Sequence, residues 1–265
     1  LIGLIRQIDG IEDIALTTNG MMLARQIEGL VAAGLDRVNI SLDTLREATF
    51  REISRRGGLN RVLEGIQAAQ QLAIPIRLNT LVLKQINWDD VLPLVHFARS
   101  QNLPLRFIEF MPLDADRRWS AQQVVTGAEL RSYLAQEIGP LEPVDSKDPS
   151  QPARDYRFLD GQGLLGFIDS VSEPFCGACN RLRLQADGKM RNCLFGRQEW
   201  DLAPWLDTRV SRDAAQDDAA RDVDKLRIGA IVRLVRQCVQ GKHWSHGISE
   251  KDFVPPPSAM YQIGG

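Results

Sequence analysis

The stretch PFCGACNRLRLQADGKMRNCLFG, Pro174 to Gly196, concentrates the residues of this chain that could do chemistry. Cys176 and Cys179 stand two residues apart, so both thiols share one tight knuckle that Gly177 and Ala178 allow. Cys193 follows after thirteen more residues. Asp187-Gly188 marks a hairpin turn between them. A two-residue loop would pair Leu182 with Cys193. A three-residue Ala-Asp-Gly loop pairs Arg181 with Cys193, Arg183 with Arg191 and Leu184 with Met190. The second register is expected because it sets apolar against apolar, and it places three arginines on the cysteine face.

Three thiolates on one hairpin suit two kinds of site. A zinc knuckle would take its fourth ligand from His243, His246 or Cys238. A four-iron cluster could use the three cysteines alone and leave its last iron open to a substrate atom. Arg181 and Arg183, two apart on one strand face, are unusual neighbours for a structural zinc. They suit a phosphorylated ligand, where charge-assisted bonds contribute roughly 1.5–3 kcal/mol each. Spacing alone leaves zinc and iron–sulfur open. Cys238 lies among the apolar positions of VDKLRIGAIVRLVRQCVQG and reads as core, since free cysteine behaves as a small hydrophobe.

Upstream, short β-branched runs alternate with amphipathic helical stretches from Ile11 to Met111. IEDIALTTNG reads as a strand ending in a turn, MLARQIEGLVAAGL as a helix closed by Gly34, and DRVNISLD as a second strand. A helical region from about Thr44 to Ala73, broken at Gly57-Gly58, leads into IPIRLNTLVLK. A helix from about Asp89 to Gln101 precedes PLRFIEFMPL. Four such strands imply parallel βα units in a barrel or doubly wound sheet. Thr17, Thr18 and Asn19, Ser41 and Asp43, Lys84, and Glu109 with Met111 fall at the C-terminal ends of the four strands, the edge where such folds place their sites. One at a time these residues also read as turn, N-cap and solvent chemistry; their coincidence at one edge favours a site.

Beyond Met111, Thr126 and Glu129 form a capping box for a helix to Ile138. LEPVDSKDPSQPARD reads as a linker or long loop, YRFLDGQGLLGFIDSVSEPF as β structure with turns at DGQG, and Asp207 to Asp224 as a solvated helix or connection. The first residues place Leu1, Leu4, Ile5 and Ile8 at helical spacing without an N-cap or an initiator methionine, which reads as a chain cut at its start.

Composition bounds the rest. The 265 residues carry a net charge of −2, which offers no general attraction to nucleic acid or an anionic membrane, so any anion site must be local. Four cysteines are too few for a disulfide scaffold, and three lie within 18 residues. That usage suits metal binding in a reducing compartment, and a cytoplasmic protein is expected. No apolar run approaches the roughly 18 residues of a membrane span.

The residues resemble the family of molybdenum cofactor biosynthesis protein A, the radical S-adenosylmethionine enzymes that act as GTP 3′,8-cyclases. The resemblance covers essentially the whole chain. It is carried in order by TTNG at 17–20, SLD at 41–43, LKQIN at 83–87, RFIEFMPL at 106–113, FCGACNRLRL at 175–184, Cys193, HGI at 246–248 and IGG at 263–265. It implies a partial (βα) barrel of radical S-adenosylmethionine type, its remaining βα units in 1–113, and a C-terminal β-containing segment in 114–265 that holds an iron–sulfur cluster and caps the barrel mouth.

By that resemblance Cys176, Cys179 and Cys193 hold a 4Fe–4S cluster whose free iron takes the guanine of GTP. Arg181, Leu182 and Arg183, with Thr17 and Lys84, match GTP contacts, and Ser41 and Met111 match S-adenosylmethionine contacts. Gly264 and Gly265 end a tail that can thread a narrow pocket and meet an arginine. The implied reaction cleaves S-adenosylmethionine to a 5′-deoxyadenosyl radical that abstracts hydrogen from C3′ of GTP, and attack on C8 gives 3′,8-cyclo-7,8-dihydro-GTP. Family members are paired with a second protein, the cyclic pyranopterin synthase accessory protein, that converts this product.

One departure stands out. The family's second 4Fe–4S cluster, which generates the radical, rests on three cysteines spaced by three and two residues and on a Gly-Gly-Glu-Pro segment, and neither occurs in this sequence. The chain is therefore expected to be a truncated cyclase, inactive alone; the alternative is a non-catalytic zinc- or cluster-bearing nucleotide-binding module.

Overall fold

The computed structural model describes residues 1–113, 119–146, 148–206, 218–248, 250, 253–257 and 260, the side chains of 218–221 excepted. The chain divides into two compact units. One comprises Leu1–Met111 and Ser120–Glu173, the other Pro112–Trp119 and Pro174–Gly265.

In the first unit the four expected strands form: β1 (Ala15–Thr18), β2 (Arg37–Ser41), β3 (Ile76–Leu81) and β4 (Leu105–Ile108), all parallel neighbours. Helices α1 (Ile2–Arg6), α2 (Leu23–Ala32), α3 (Glu47–Ser54), α4 (Leu59–Gln71) and α5 (Val91–Ser100) precede or connect them. β5 (Leu141–Val144), β6 (Arg154–Phe158) and β7 (Leu164–Ile168) complete a seven-stranded sheet of order β1-β2-β3-β4-β7-β6-β5. In it β7 is parallel to β4, while β6 and β5 run antiparallel at the end. This parallel-dominated α/β sheet is a partial βα-barrel type of fold.

The core lies between the sheet and its helices. Val38, Ile40, Leu78, Leu105, Phe107 and Phe167 meet Leu23 and Ile27 of α2, Val62 and Ile66 of α4, and Leu94 and Val95 of α5. Burying each such side chain contributes about 1.5–3 kcal/mol. The break at Gly57-Gly58 is satisfied locally: the Glu47 carboxylate accepts from the N–H groups of Gly58 and Leu59, two donors the start of α4 would otherwise leave open. The capping box of α6 (Gly127–Glu137) forms as expected, with Thr126 and Glu129 bonding reciprocally.

One expectation is corrected. LEPV is strand β5 rather than linker, because an edge strand tolerates Pro143, which has no N–H to give to the ladder. The sheet accordingly runs on past residue 113, through β5, β6 and β7.

The second unit holds a three-stranded antiparallel sheet of β8 (Arg183–Leu184), β9 (Lys189–Arg191) and β10 (Trp200–Asp201), with α7 (Ala203–Leu206) and α8 (Asp218–Gln240). Arg183 pairs with Arg191 and Leu184 with Met190, the register of the three-residue loop. Met190, Trp200, Leu202 and Cys238 form a small core of their own, so Cys238 is core as read. No helix among the described residues is long and apolar enough to cross a membrane.

Gly188 is required twice over: its φ is +84°, and a Cβ there would stand 3.1 Å from the Ala203 backbone Cα. Gly188→Ala should lower stability by about 1–3 kcal/mol in urea denaturation. An unchanged midpoint would mean that the hairpin register is not held by this turn.

Candidate functional site

A parallel sheet covered on both faces by apolar layers reads as near-continuous hydrophobic runs. These strands alternate instead. Val38, Ile40, Leu78, Leu105 and Phe107 are buried toward the helices, while Arg37, Asn39, Ser41, Arg77, Asn79 and Arg106 are only half-buried on the opposite face. The parallel register lines them up in rows. Thr17, Asn39 and Arg77 form one, and Ser41, Asn79, Arg106, Gly166 and Asp155 the next.

Asn39 Nδ2 donates to Thr17 Oγ1 at 3.2 Å, whereas the Asn39 and Asn79 side-chain oxygens are buried and have no hydrogen-bond partner among the described residues. Desolvation holds the Arg77 and Arg106 guanidiniums below their usual range. Like charge from Arg37 on Arg77, and from Arg77 on Arg106, acts in the same direction, with Asp155 opposing. Gly166 leaves room for this row, since a Cβ would come within 2.9 Å of both Arg106 Cγ and Asp155 Oδ1. The face is therefore polar, cationic and short of partners, which equips it for an anionic, hydrogen-bonding ligand.

The C-terminal strand edge is held by its own polar network. Asp43 Oδ1 accepts from the Leu81 N–H at 2.7 Å, and Asn87 Nδ2 donates to the Asp43 and Leu81 carbonyls at 2.8 Å each. Asn87, the last residue of LKQIN, thus ties SLD to the end of β3. Burial pushes the Asp43 carboxyl up to about 6, against the Leu81 hydrogen bond. Glu109 is buried and accepts from the Val171 and Ser172 N–H groups at 2.6 and 2.9 Å and from the Ser172 hydroxyl.

Of the predicted site residues in this unit, Thr17 lies in the first polar row, Ser41 in the second, and Met111 three residues beyond the end of β4. Lys84 lies apart from both rows, outside β3, with its ammonium 3.5 Å from Glu129 Oε1. Asn39, Arg77, Asn79 and Arg106 lie within the strands, away from the C-terminal edge that strand-end residues mark. The period-two polar pattern of RVNIS, IRLNTL and LRFI was the signal.

In the second unit the knuckle closes by the Cys179 N–H donating to the Cys176 carbonyl at 3.1 Å. Arg181 stacks over Phe175 at 4.6 Å and its Nη2 donates to Cys179 Sγ at 3.3 Å. Lys242 Nζ stands 3.2 Å from the Cys179 carbonyl and 3.5 Å from its sulfur. Burial alone would push the Cys179 thiol up; the Arg181 N–H and guanidinium, with Lys242, bring it below its ordinary value. Cys176 is pushed up by burial and by the neighbouring Cys193 and Cys179, with the His246 N–H opposing. Desolvation, then Arg181, lowers Arg183, while Cys193 and Cys179 act the other way. Arg181 and Arg183 are half-buried and Leu182 between them is exposed, so the arginines share a face and Leu182 does not.

The donor set fits an iron–sulfur cluster chemically: three soft thiols that influence one another, with cations beside them. Among the described residues no three His, Cys, Asp or Glu are drawn close enough to grip a single ion. Of the zinc alternatives, Cys238 is in the core, and His246 packs on Phe195 while its Nδ1 accepts from the Ile248 N–H. Gly264 and Gly265 lie outside the described residues.

Comparison with known proteins agrees with this anatomy. Residues 1–98 match the Radical SAM superfamily and residues 103–243 match Molybdenum Cofactor Synthesis C. A GTP 3′,8-cyclase of Rhodopirellula baltica is 44% identical over 268 residues, covering 100% of this chain and 70% of that protein. One of Xanthomonas campestris is 45% identical over 78% of this chain and 61% of its own length. One of Heliobacterium modesticaldum is 38% identical over 98% of this chain and 75% of its own. Fold and sequence thus define a radical S-adenosylmethionine protein with a molybdenum cofactor synthesis region. Within that class, the chain belongs to the GTP 3′,8-cyclase family, spanning between 61% and 75% of these relatives' lengths.

The Asp43 carboxyl gives a pH prediction. Its value rises from 3.8 to about 6 on folding, so the folded state holds the proton more tightly. This group's contribution to stability then falls as pH rises from about 4 to about 6 and is level above, by at most about 3 kcal/mol. Asp43→Asn keeps an acceptor for Leu81 and removes the charge. Its stability relative to wild type in urea should rise between pH 4.5 and pH 7; a constant difference would contradict the assignment.

Proposed function

We propose that this chain handles GTP in the conversion of GTP to 3′,8-cyclo-7,8-dihydro-GTP, as a radical S-adenosylmethionine lyase of molybdenum cofactor biosynthesis. The observation that carries this reading is the pairing of Arg181 and Arg183 on one face beside Cys179, a phosphate-ready pair next to a thiol cluster. Family membership implies 4Fe–4S and S-adenosylmethionine as cofactors.

Cys176, Cys179 and Cys193 would hold a 4Fe–4S cluster, which supplies an open iron for a substrate atom when bound. Arg181 and Arg183 bind triphosphate oxygens by charge-assisted bonds, and Leu182 offers its backbone between them. Arg181 must exchange its bond to Cys179 for one to phosphate, and its stack on Phe175 keeps the guanidinium plane oriented while it does so. In the first unit Thr17 is proposed as a GTP contact and Ser41 and Met111 as S-adenosylmethionine contacts. The Asn39 and Asn79 oxygens are free to accept from ligand hydroxyl or amino groups, and Arg77 and Arg106 supply cationic donors. Lys84 is proposed as a GTP contact that first gives up Glu129. Gly264 and Gly265 are proposed to belong to the same nucleotide site. The cyclic pyranopterin synthase accessory protein is the proposed recipient of the product.

Arg181→Ala and Arg183→Ala should each weaken GTP binding by about tenfold or more while iron and sulfide content stay unchanged, measured by calorimetry on anaerobically reconstituted chain. Undiminished affinity in both variants would remove the nucleotide from this face.

A further inference from the structure

The end of α8 is fastened to the small sheet of the second unit. Asn192 Nδ2 donates to the Cys238 carbonyl at 2.9 Å, and the Gly241 N–H closes the helix on the Gln237 carbonyl. Gly241 is packed so closely that a Cβ would meet the Trp200 ring at 3.3 Å and Asn192 at 3.4 Å. Lys242 follows directly, its N–H on the Val239 carbonyl, and is half-buried. Its ammonium is thus delivered from an anchored helix end to one peptide, 3.2 Å from the Cys179 carbonyl and 3.5 Å from the Cys179 sulfur.

We propose that Lys242 is a positioning residue for the Cys179 limb of the cysteine hairpin: it fixes the knuckle through the carbonyl and, through the sulfur, makes a cluster held there easier to reduce. This rests on the reading that Cys176, Cys179 and Cys193 carry a 4Fe–4S cluster. Three thiolates give such a cluster a net negative charge that grows when it accepts an electron. Hydrogen bonds to ligand sulfur and nearby cations offset that charge, and they are among the factors that set cluster potentials.

Lys242 and Arg181 are not equivalent donors. Arg181 reaches the same sulfur at 3.3 Å, but it is also the residue a phosphate would recruit. Lys242 is held by the carbonyl as well, so its contact persists when Arg181 turns to a nucleotide. The arrangement keeps one cation on Cys179 whether or not substrate is bound.

The test is a spectroscopic potentiometric titration of full chains reconstituted anaerobically with iron and sulfide: wild type, Lys242→Met, Lys242→Gln and Lys242→Arg. With iron and sulfide content equal, Lys242→Met should have a lower midpoint. At the wild-type midpoint its oxidised-to-reduced ratio should rise about tenfold, equivalent to about 59 mV for one electron. Lys242→Arg should stay near wild type. If Lys242→Met takes up no iron, Lys242→Gln serves instead, since it keeps a donor for the Cys179 carbonyl without the charge, and the same direction of shift is expected. Equal potentials in loaded wild type and the loaded neutral variant would overturn the proposal alone. Wild type that takes up no iron and sulfide would overturn the cluster reading, and this proposal with it.

Discussion

Holding arginine on the helix-free face of a parallel-dominated sheet is the constraint on which the first unit depends. Arg77 and Arg106 are desolvated and press on each other electrostatically, and two buried asparagine oxygens beside them have no partner among the described residues. A sheet selected for stability alone would fill these positions with Val or Ile, because burying cations and unpaired amides costs free energy. The cost is tolerated because the opposite face buries a large apolar core under α2, α4 and α5. That core makes the strands rigid enough to hold unsatisfied groups in register, which is what preorganised recognition of a polar anion needs.

The second unit solves a related problem on a smaller scale. Its core of Met190, Trp200, Leu202 and Cys238 is modest, so the hairpin relies on a glycine turn, on Asn192 clasping α8, and on buried Arg191 paired with Glu199. These contacts set the strand that carries Arg181 and Arg183 and the helix end that carries Lys242. Three cations therefore stand near three thiols, and the charge that would make bare thiolates repel is offset locally.

Much of this was legible in the residues. The four parallel strands, the Gly57-Gly58 break, the capping box and the hairpin register all follow from local patterns whose physics is short-range, and the structure has each of them. β5 was not legible, because Pro143 argues against a strand unless the strand is known to lie at an edge, and edge position is a property of the whole sheet. Asn39, Asn79, Arg77 and Arg106 were written in the alternation, yet becoming a site required the register that brings them into rows. Lys84 adds a long-range case: Glu129, 45 residues away in sequence, gives it a partner that no local pattern announces.

The central claim is that the cysteine hairpin of this cyclase-family chain carries an iron–sulfur cluster rather than a structural ion. Iron, sulfide and zinc content after anaerobic reconstitution of the chain tests it most directly. The account predicts about four iron and four sulfide per chain, lost when Cys176, Cys179 and Cys193 are replaced by serine. About one zinc without sulfide would contradict it and make the hairpin a structural knuckle.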